Sequence, residues 1–404
     1  MKQQTAPHLI VTPSDLEAWA RRLQKAHWVA IDTESDSFHR YREKVCLIQM
    51  TAGGEDVIID PLALPSLECL APVLADGRVT KIFHDAGYDL ICLRRDFGFE
   101  VRGLFDTMLA SRLLGERHFG LAAILRARYG FEADKRQQRS DWAHRPLSEA
   151  QLHYARYDTH FLPELALSLT QELEAAGRLV WAQEDFARLP EAALRAGSRA
   201  NGPDPEGFWR VQGAKKLDSA AKGRLKALYD ARERIAERLD RPAFKVFGED
   251  VLMEMAHAPP TSLDDFRTPK GGRRHRAGRF AQEVLDALAQ AQPIEGEPPK
   301  NSGRKRRNGR MLDPDARERY EALRVQRRLS ADALGLEPEV VLSNAIIEEL
   351  ARTPPTCAED FLRHAEFCGW RKTPLLAPMQ AVLEGLATQT QAEAPLGELA
   401  PVEP

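Results

Sequence analysis

The fold is decided by Trp28-Val29-Ala30-Ile31-Asp32-Thr33-Glu34, a β-rich apolar run that ends in two acids. Side chains two apart on a strand share a face, so Asp32 and Glu34 project together. Carboxylates so placed repel one another unless a cation lies between them. Taken alone, an Asp-x-Glu pair is more simply a solvated strand end. Working outward, Val45-Cys46-Leu47-Ile48-Gln49-Met50, Val57-Ile58-Ile59 and Lys81-Ile82-Phe83 are further short β-rich runs. Turn-like segments such as Thr51-Ala52-Gly53-Gly54 separate the first three runs, which predicts an antiparallel meander. Strands then alternate with helical stretches at 66–74, 88–97, 107–114 and 148 to about 174. Ser148 followed by Gln151 resembles a capping box at the start of the last of these. A mixed sheet flanked by helices, an α/β domain over residues 1–195, is the expectation.

The chain has 404 residues, which suggests two or three domains. A hydrophobic fraction of 43% and a charged fraction of 29% exclude wholesale disorder and fibrous repeats. No run approaches the roughly 20 apolar residues that span a bilayer. Met1 to Pro7 is not followed by an apolar stretch, so no secretory signal is expected. The five cysteines have no CxxC spacing, which points away from structural zinc and a disulfide framework and towards a reducing cytoplasm. A net charge of −3 averages over surfaces and hides local clusters.

Beyond residue 195 the composition shifts. Gly197 to Pro205 carries linker chemistry within an expected linker over 196–212, and helical periodicity dominates afterwards. The second half repeats itself. Leu252 to Thr261, with Ala258-Pro259-Pro260-Thr261, matches Ile347 to Thr356, with Thr353-Pro354-Pro355-Thr356. Phe266 and Phe361 follow at the same separation, and Ala227-Leu228 matches Ala322-Leu323. One offset shared by separated positions predicts two copies of a small all-α domain, 213–290 and 313–388. A basic Pro/Gly-rich linker, 291–312, joins them, and 389–404 reads as a disordered tail.

Two more acidic motifs accompany the strand pair. His84-Asp85-Ala86-Gly87-Tyr88-Asp89 follows a strand and opens a helix, the end of an α/β sheet where ligands bind. Charge complementing the helix dipole is the plainer account. Spacing alone does not choose between Asp85 and Asp89. In Tyr154-Ala155-Arg156-Tyr157-Asp158 a phenol and a carboxylate four apart share a helix face.

Together these motifs resemble the DEDD 3′–5′ exonucleases, in the tyrosine-bearing subgroup. Tyr41 to Gln49, Leu104-Phe105-Asp106-Thr107 and Ser140 to Leu147 are similar to the ribonuclease D branch. The repeated helical units resemble HRDC domains, the first copy more closely, with Asp240-Arg241-Pro242-Ala243-Phe244 ahead of its core. The resemblance covers roughly residues 8–385. It implies a ribonuclease H-like exonuclease domain followed by two HRDC domains. It selects Asp89 as the second-motif aspartate, although Asp85-Ala86-Gly87-Tyr88 departs from the commonest wording. It further implies two divalent ions, Mg2+ or Mn2+, suited to hard oxygen ligands. Asp32 would bridge both ions, Glu34 and Asp158 would complete the site of the attacking water, and Asp89 would hold the second ion. Tyr154 would orient that water and help deprotonate it. The implied activity is 3′–5′ exoribonuclease cleavage releasing nucleoside 5′-monophosphates, in tRNA 3′ maturation or processing of structured RNA. A monomer is expected, and no membrane.

Contacts to nucleic acid are expected at Gln49, His84 and Lys135 near the scissile end. Two basic clusters are further candidates. One holds Arg267, Lys270, Arg273, Arg274, Arg276 and Arg279; the other holds Lys300, Arg304, Lys305, Arg306, Arg307 and Arg310. Trp142 reads as core packing and Asp106 as a helix cap. The competing readings are a 3′–5′ DNA exonuclease of the same fold and a non-catalytic RNA-binding scaffold. The absence of a polymerase or helicase segment disfavours the first, and the intact acid set disfavours the second.

Overall fold

A computed structural model describes residues 7–196, 204–267, 276–296 and 312–393. In chain order the first elements are β1 (His8–Ile10), α1 (Pro13–Leu23), β2 (Trp28–Ser35), β3 (Val45–Ala52), β4 (Glu55–Ile59), α2 (Ala71–Ala75), β5 (Thr80–Phe83) and α3 (Gly87–Phe97). Next come β6 (Leu104–Asp106), α4 (Thr107–Leu113), α5 (Leu121–Tyr129), α6 (Glu149–His160), α7 (Leu162–Ala175) and α8 (Leu179–Ala196). The helical half contains α9 (Ser219–Arg238), α10 (Ala243–Val246), α11 (Glu249–His257) and α12 (Ala281–Ala289). It continues with α13 (Pro314–Leu334), α14 (Pro338–Val341), α15 (Asn344–Arg352), α16 (Ala358–Leu362) and α17 (Lys372–Glu393).

The chain folds as two compact units, each discontinuous in sequence. The first gathers the described residues of Met1–Gly103, Ala133–Pro163 and Leu189–Arg306. Its strands run in the order β1-β4-β3-β2-β5. The expected meander is present: β2 pairs antiparallel with β3, and β3 with β4, while β1 joins β4 and β5 joins β2 in parallel. All eight residues of β3 are buried, because both faces of this central strand are covered. One face takes α6. Thr51 on β3 meets Thr159 on α6 at 2.8 Å, and Asp56 on β4 accepts from Arg156 at 2.6 Å.

Lys81, wholly buried on β5, directs its ammonium at the carbonyls of Val73, Asp76 and Val79 at 3.3, 2.6 and 2.6 Å. These are main-chain acceptors around the end of α2, and the lysine replaces the water they would otherwise bind. Burial pushes its pKa down to about 8.

The first helical copy belongs to this unit. Its core includes Leu225, Leu228, Ile235, Val251, Leu252, Met255 and Phe266. Phe208, Trp209 and Val211 are buried in the same core, so the expected linker over 196–212 is corrected at its C-terminal end. Two adjacent aromatics there contribute more by burial than as a tether.

The second unit gathers the described residues of Leu104–Glu132, Glu164–Arg188 and Arg307–Pro404, including the second copy. Trp181 and Trp370 stack with ring centroids 4.5 Å apart. Arg371 forms a two-pronged buried pair with Asp185, at 2.5 and 2.8 Å, and also donates to the carbonyl of Val340. The repeat inferred from one offset recurs in the bonding. Arg224 Nε donates to the Ala256 carbonyl at 2.7 Å, and Arg319 Nε to the Ala351 carbonyl at 2.8 Å. Asp218 and Asp313 cap their helices by accepting from Ala221 and Ala316. Asp265 and Asp360 accept from the amides of Thr261 and Thr356.

Two further expectations are corrected. The helix expected from 148 to about 174 is two helices, α6 and α7, separated at Phe161. Pro163 has no N–H for the Thr159 carbonyl, and its ring crowds that oxygen. Residues 389–393, expected to belong to the tail, are the end of α17, which runs to Glu393, and 394–404 lie outside the described residues.

Replacing Lys81 by Met would take the ammonium away from three carbonyls, of which that of Asp76 keeps the Val79 amide as a donor. The expected cost is about 2–4 kcal/mol of stability. Denaturant unfolding of the full chain measures it, and an unchanged midpoint would show that water substitutes for the amine.

Candidate active site

The site is assembled where β2 outruns its neighbour. Pairing of β2 with β5 ends at Ala30 opposite Ile82, while pairing with β3 continues through Asp32 opposite Gln49 and Glu34 opposite Leu47. The two acids therefore lie past the last β5 rung, where the chain turns into α3. Asp85 makes that turn with φ +65°, a left-handed conformation that a short polar side chain tolerates. Asp89 follows in the first turn of α3, and Thr33 donates to its Oδ1 at 2.5 Å.

Tyr154 and Asp158 come from α6, whose start has the capping box expected at Ser148 and Gln151. Its rotation is set by contacts that sequence reading did not find. Asp56 accepts from Arg156 and meets His160 Nδ1 at 2.8 Å, beside the Thr51–Thr159 pair. Before the helix, Arg145 grips Asp60 through two nitrogens at 2.6 and 2.8 Å and donates to the carbonyl of Trp142. Trp142 is buried, as expected of core packing, and its ring lies 5.9 Å from that of Tyr154. Thr51, Asp56 and Asp60 were the available signal, but each is an ordinary strand-end residue by itself.

Asp32, Glu34 and Asp158 each offer a carboxylate oxygen, and these oxygens lie within 4.8 Å of one another. Asp89 lies beside this trio rather than within it. Burial raises the pKa of Asp32 well above the ordinary carboxylate range, and the charge of Asp158 raises it further. Glu34 is raised by burial and then by Asp32, Asp158 and Asp89. Asp89 is raised by burial and by Asp32. Burial and Asp89 lift Asp158 to about 8, and a hydrogen bond from Tyr154 pulls it back in part. The Tyr154 phenol is itself pushed up by burial and by Asp158, Glu34 and Asp32, so it remains protonated at neutral pH.

This donor set fits divalent cations of the hard class. It is all oxygen and clustered, and among the described residues no cation compensates it and Asp158 Oδ2 is buried with no hydrogen-bond partner.

The softer candidates fare differently. Gln49 is wholly buried and paired across the antiparallel ladder with Asp32, so the two side chains lie on one face of the sheet and Gln49 stands beside the acids. Its amide oxygen and nitrogen have no partner. His84 is partly exposed just after β5 and has interactions of its own. Lys135 begins a 3-10 turn, and its side chain lies outside the described set. Asp106 caps α4 by accepting from Leu109, as expected. Of the first basic cluster, Arg267 pairs with Asp264 at 3.0 Å and Arg276 reaches Asp250 at 4.0 Å. Lys270, Arg273, Arg274, Lys300, Arg304, Lys305, Arg306, Arg307 and Arg310 lie outside the described residues.

Metal-free stability should fall as pH rises. A carboxylate with a raised folded pKa keeps a proton that the unfolded chain has released, so the fold loses ground between about pH 4 and about pH 8. Adding Mg2+ or Mn2+ should raise the thermal midpoint more at pH 8 than at pH 6. Asp158→Asn should raise the metal-free midpoint at pH 8, by roughly 2–4 °C for each kcal/mol of repulsion removed. Equal midpoints at both pH values, with and without metal, would contradict the clustering.

Comparison with known proteins identifies the family. A family model described as 3′–5′ exonuclease matches residues 7–174, and an HRDC domain model matches 221–288 and 316–371. The chain is 32% identical to ribonuclease D of Gluconacetobacter diazotrophicus, over 91% of this chain and 90% of that protein. It is 30% identical to ribonuclease D of Granulibacter bethesdensis, over 86% of each. The crystal structure of Escherichia coli RNase D, titled as an exoribonuclease involved in structured RNA processing, superposes with a TM-score of 0.71. That match covers 94% of this chain and 99% of the other at 24% identity, a likeness of fold.

Proposed function

The chain belongs to the ribonuclease D family and is a hydrolytic 3′–5′ exoribonuclease of RNA processing, and from that premise we propose how its residues carry out the reaction. Asp32, Glu34, Asp89 and Asp158 would hold two divalent ions, with Asp32 a ligand to both. When bound, such ions activate water and neutralise the charge that develops on the leaving oxygen. The clustering of three carboxylates around one point carries this reading.

The protein's own groups do the positioning. Thr33 fixes the Asp89 carboxylate by donating to it, so that this acid keeps one rotamer beside the trio. Tyr154, held against Trp142 and bonded to Asp158, presents a protonated phenol to the attacking water and orients it. Asp32 and Glu34 are kept from approaching further by their shared strand face and fixed spacing.

The substrate we propose is an RNA 3′ tail, such as that of a tRNA precursor, shortened to nucleoside 5′-monophosphates. The HRDC domains extend the grip, with the basic residues around Arg267, Arg276 and Arg279 contributing phosphate contacts. No helix among the described residues is long and apolar enough to cross a membrane, and none of the five cysteines is in a disulfide. A cytoplasmic setting is part of the proposal.

The test compares matched RNA and DNA strands with Mg2+, Mn2+ and chelator. RNA should be shortened from the 3′ end in either metal and left intact in chelator. Tyr154→Phe should lower kcat by about 10²-fold or more with KM little changed. Asp158→Asn should abolish turnover; if it shortens RNA at the wild-type rate, the assignment of the metal ligands fails.

A further inference from the structure

Three aromatic side chains stand among the large apolar groups left exposed in the described structure: Phe38 at 46%, Tyr88 at 51% and Phe244 at 57%. All three belong to the first unit. Phe38 and Phe244 face each other edge to face, with ring centroids 6.5 Å apart and an interplanar angle of 77°. The Arg139 guanidinium lies over the Phe38 ring, 5.8 Å from its centroid. Phenylalanine has no polar tip, and here two half-exposed rings, one from the loop after β2 and one from the first helical domain, meet at the surface with a guanidinium beside them.

Their position identifies the ligand. Phe38 is four residues after Glu34 on the loop that leaves the catalytic strand, so its Cα is at most roughly 14 Å from that of Glu34. Tyr88 immediately precedes Asp89. Phe244 belongs to α10 of the first helical domain. The loop is fastened to that domain next to the rings. Tyr41 packs against the domain core, its amide donates to Asp240 at 3.2 Å, and its hydroxyl donates to Glu233 at 3.1 Å. Arg42 pairs with Glu237 at 2.6 Å and Arg40 with Asp240 at 3.5 Å. Glu237 and Asp240 are thus paired with arginines of the loop, Arg232 pairs with Glu233 at 3.2 Å, and the surface beside them is aromatic with a cation.

Unstacked bases bind this combination of π-face, apolar edge and guanidinium without regard to sequence. We propose that Phe38 and Phe244 form a composite base-stacking surface for the unpaired nucleotides just upstream of the 3′ end, so that the first HRDC domain takes part in the mouth of the active site. The inference rests on the nuclease reading, since it places the 3′ end at the carboxylates.

The experiment measures Kd of the full chain for a fluorescent oligoadenylate in chelator, where no strand is consumed. Phe244→Ala and Phe38→Ala should each weaken binding about 5- to 100-fold. Phe244→Trp should bind at least as well as the wild type, and Phe244→Leu should behave like Phe244→Ala. With a strand abasic at its last three positions, wild type and Phe244→Ala should bind alike. Unchanged affinity in Phe244→Ala overturns the proposal. So does full affinity in Phe244→Leu, which would mean apolar packing between the domains, or an equal loss on the abasic strand. Shortening of the strand by the wild type in Mg2+ or Mn2+ is scored separately. If it fails while the Kd differences persist, the nuclease reading falls and the stacking surface stands.

Discussion

Like charges held within a few ångströms of each other, and partly shielded from water, have to be compensated by protons or by cations. Asp32, Glu34 and Asp158 are in that situation, with Asp89 beside them. A fold seeking stability alone would separate such groups, because their charges raise one another's pKa and, among the described residues, no cationic side chain answers them. Here the surrounding structure does the opposite. Strand alternation locks two of the acids on one face, a left-handed residue swings α3 around, and Thr33 ties Asp89 to the strand. The arrangement makes sense as a receptacle whose charge is completed from outside.

The rigidity that this requires comes from α6. Its two functional residues sit on one side, and its hold on the sheet comes from another. Thr159, Arg156 and His160 engage Thr51 and Asp56, while Arg145 and Asp60 secure the approach. A rotation of α6 by one residue would carry Asp158 away from Asp32. Polar contacts of fixed geometry resist such a rotation better than interchangeable apolar ones, which explains why so many polar groups lie between a helix and a sheet. Gln49 belongs to the same layer, buried opposite Asp32 with both amide atoms unpaired.

The loop after β2 connects the chemistry to the helical half. Tyr41, Arg42 and Arg40 fasten it to the end of α9, where Asp240 adopts φ +46° while accepting from the Tyr41 amide. The catalytic strand and the first helical domain thereby form part of one compact unit.

Local periodicity and spacing by themselves determined the meander, the capping box at Ser148, the Asp106 cap, the buried Trp142 and the tandem helical repeat. Each depends on neighbours within a few residues or on one recurring interval. The offset that relates Phe266 to Phe361 also relates Arg224 to Arg319 and their carbonyl partners, because a copied domain keeps its internal bonds. The same motifs, by resemblance, marked the acids and the tyrosine. Tertiary structure decided the rest. It buried Gln49, drew Phe208 and Trp209 out of an expected linker, and set Phe38 against Phe244. Those outcomes depend on groups far apart in the chain that come within reach only after folding, and short-range pattern carries no information about such distances.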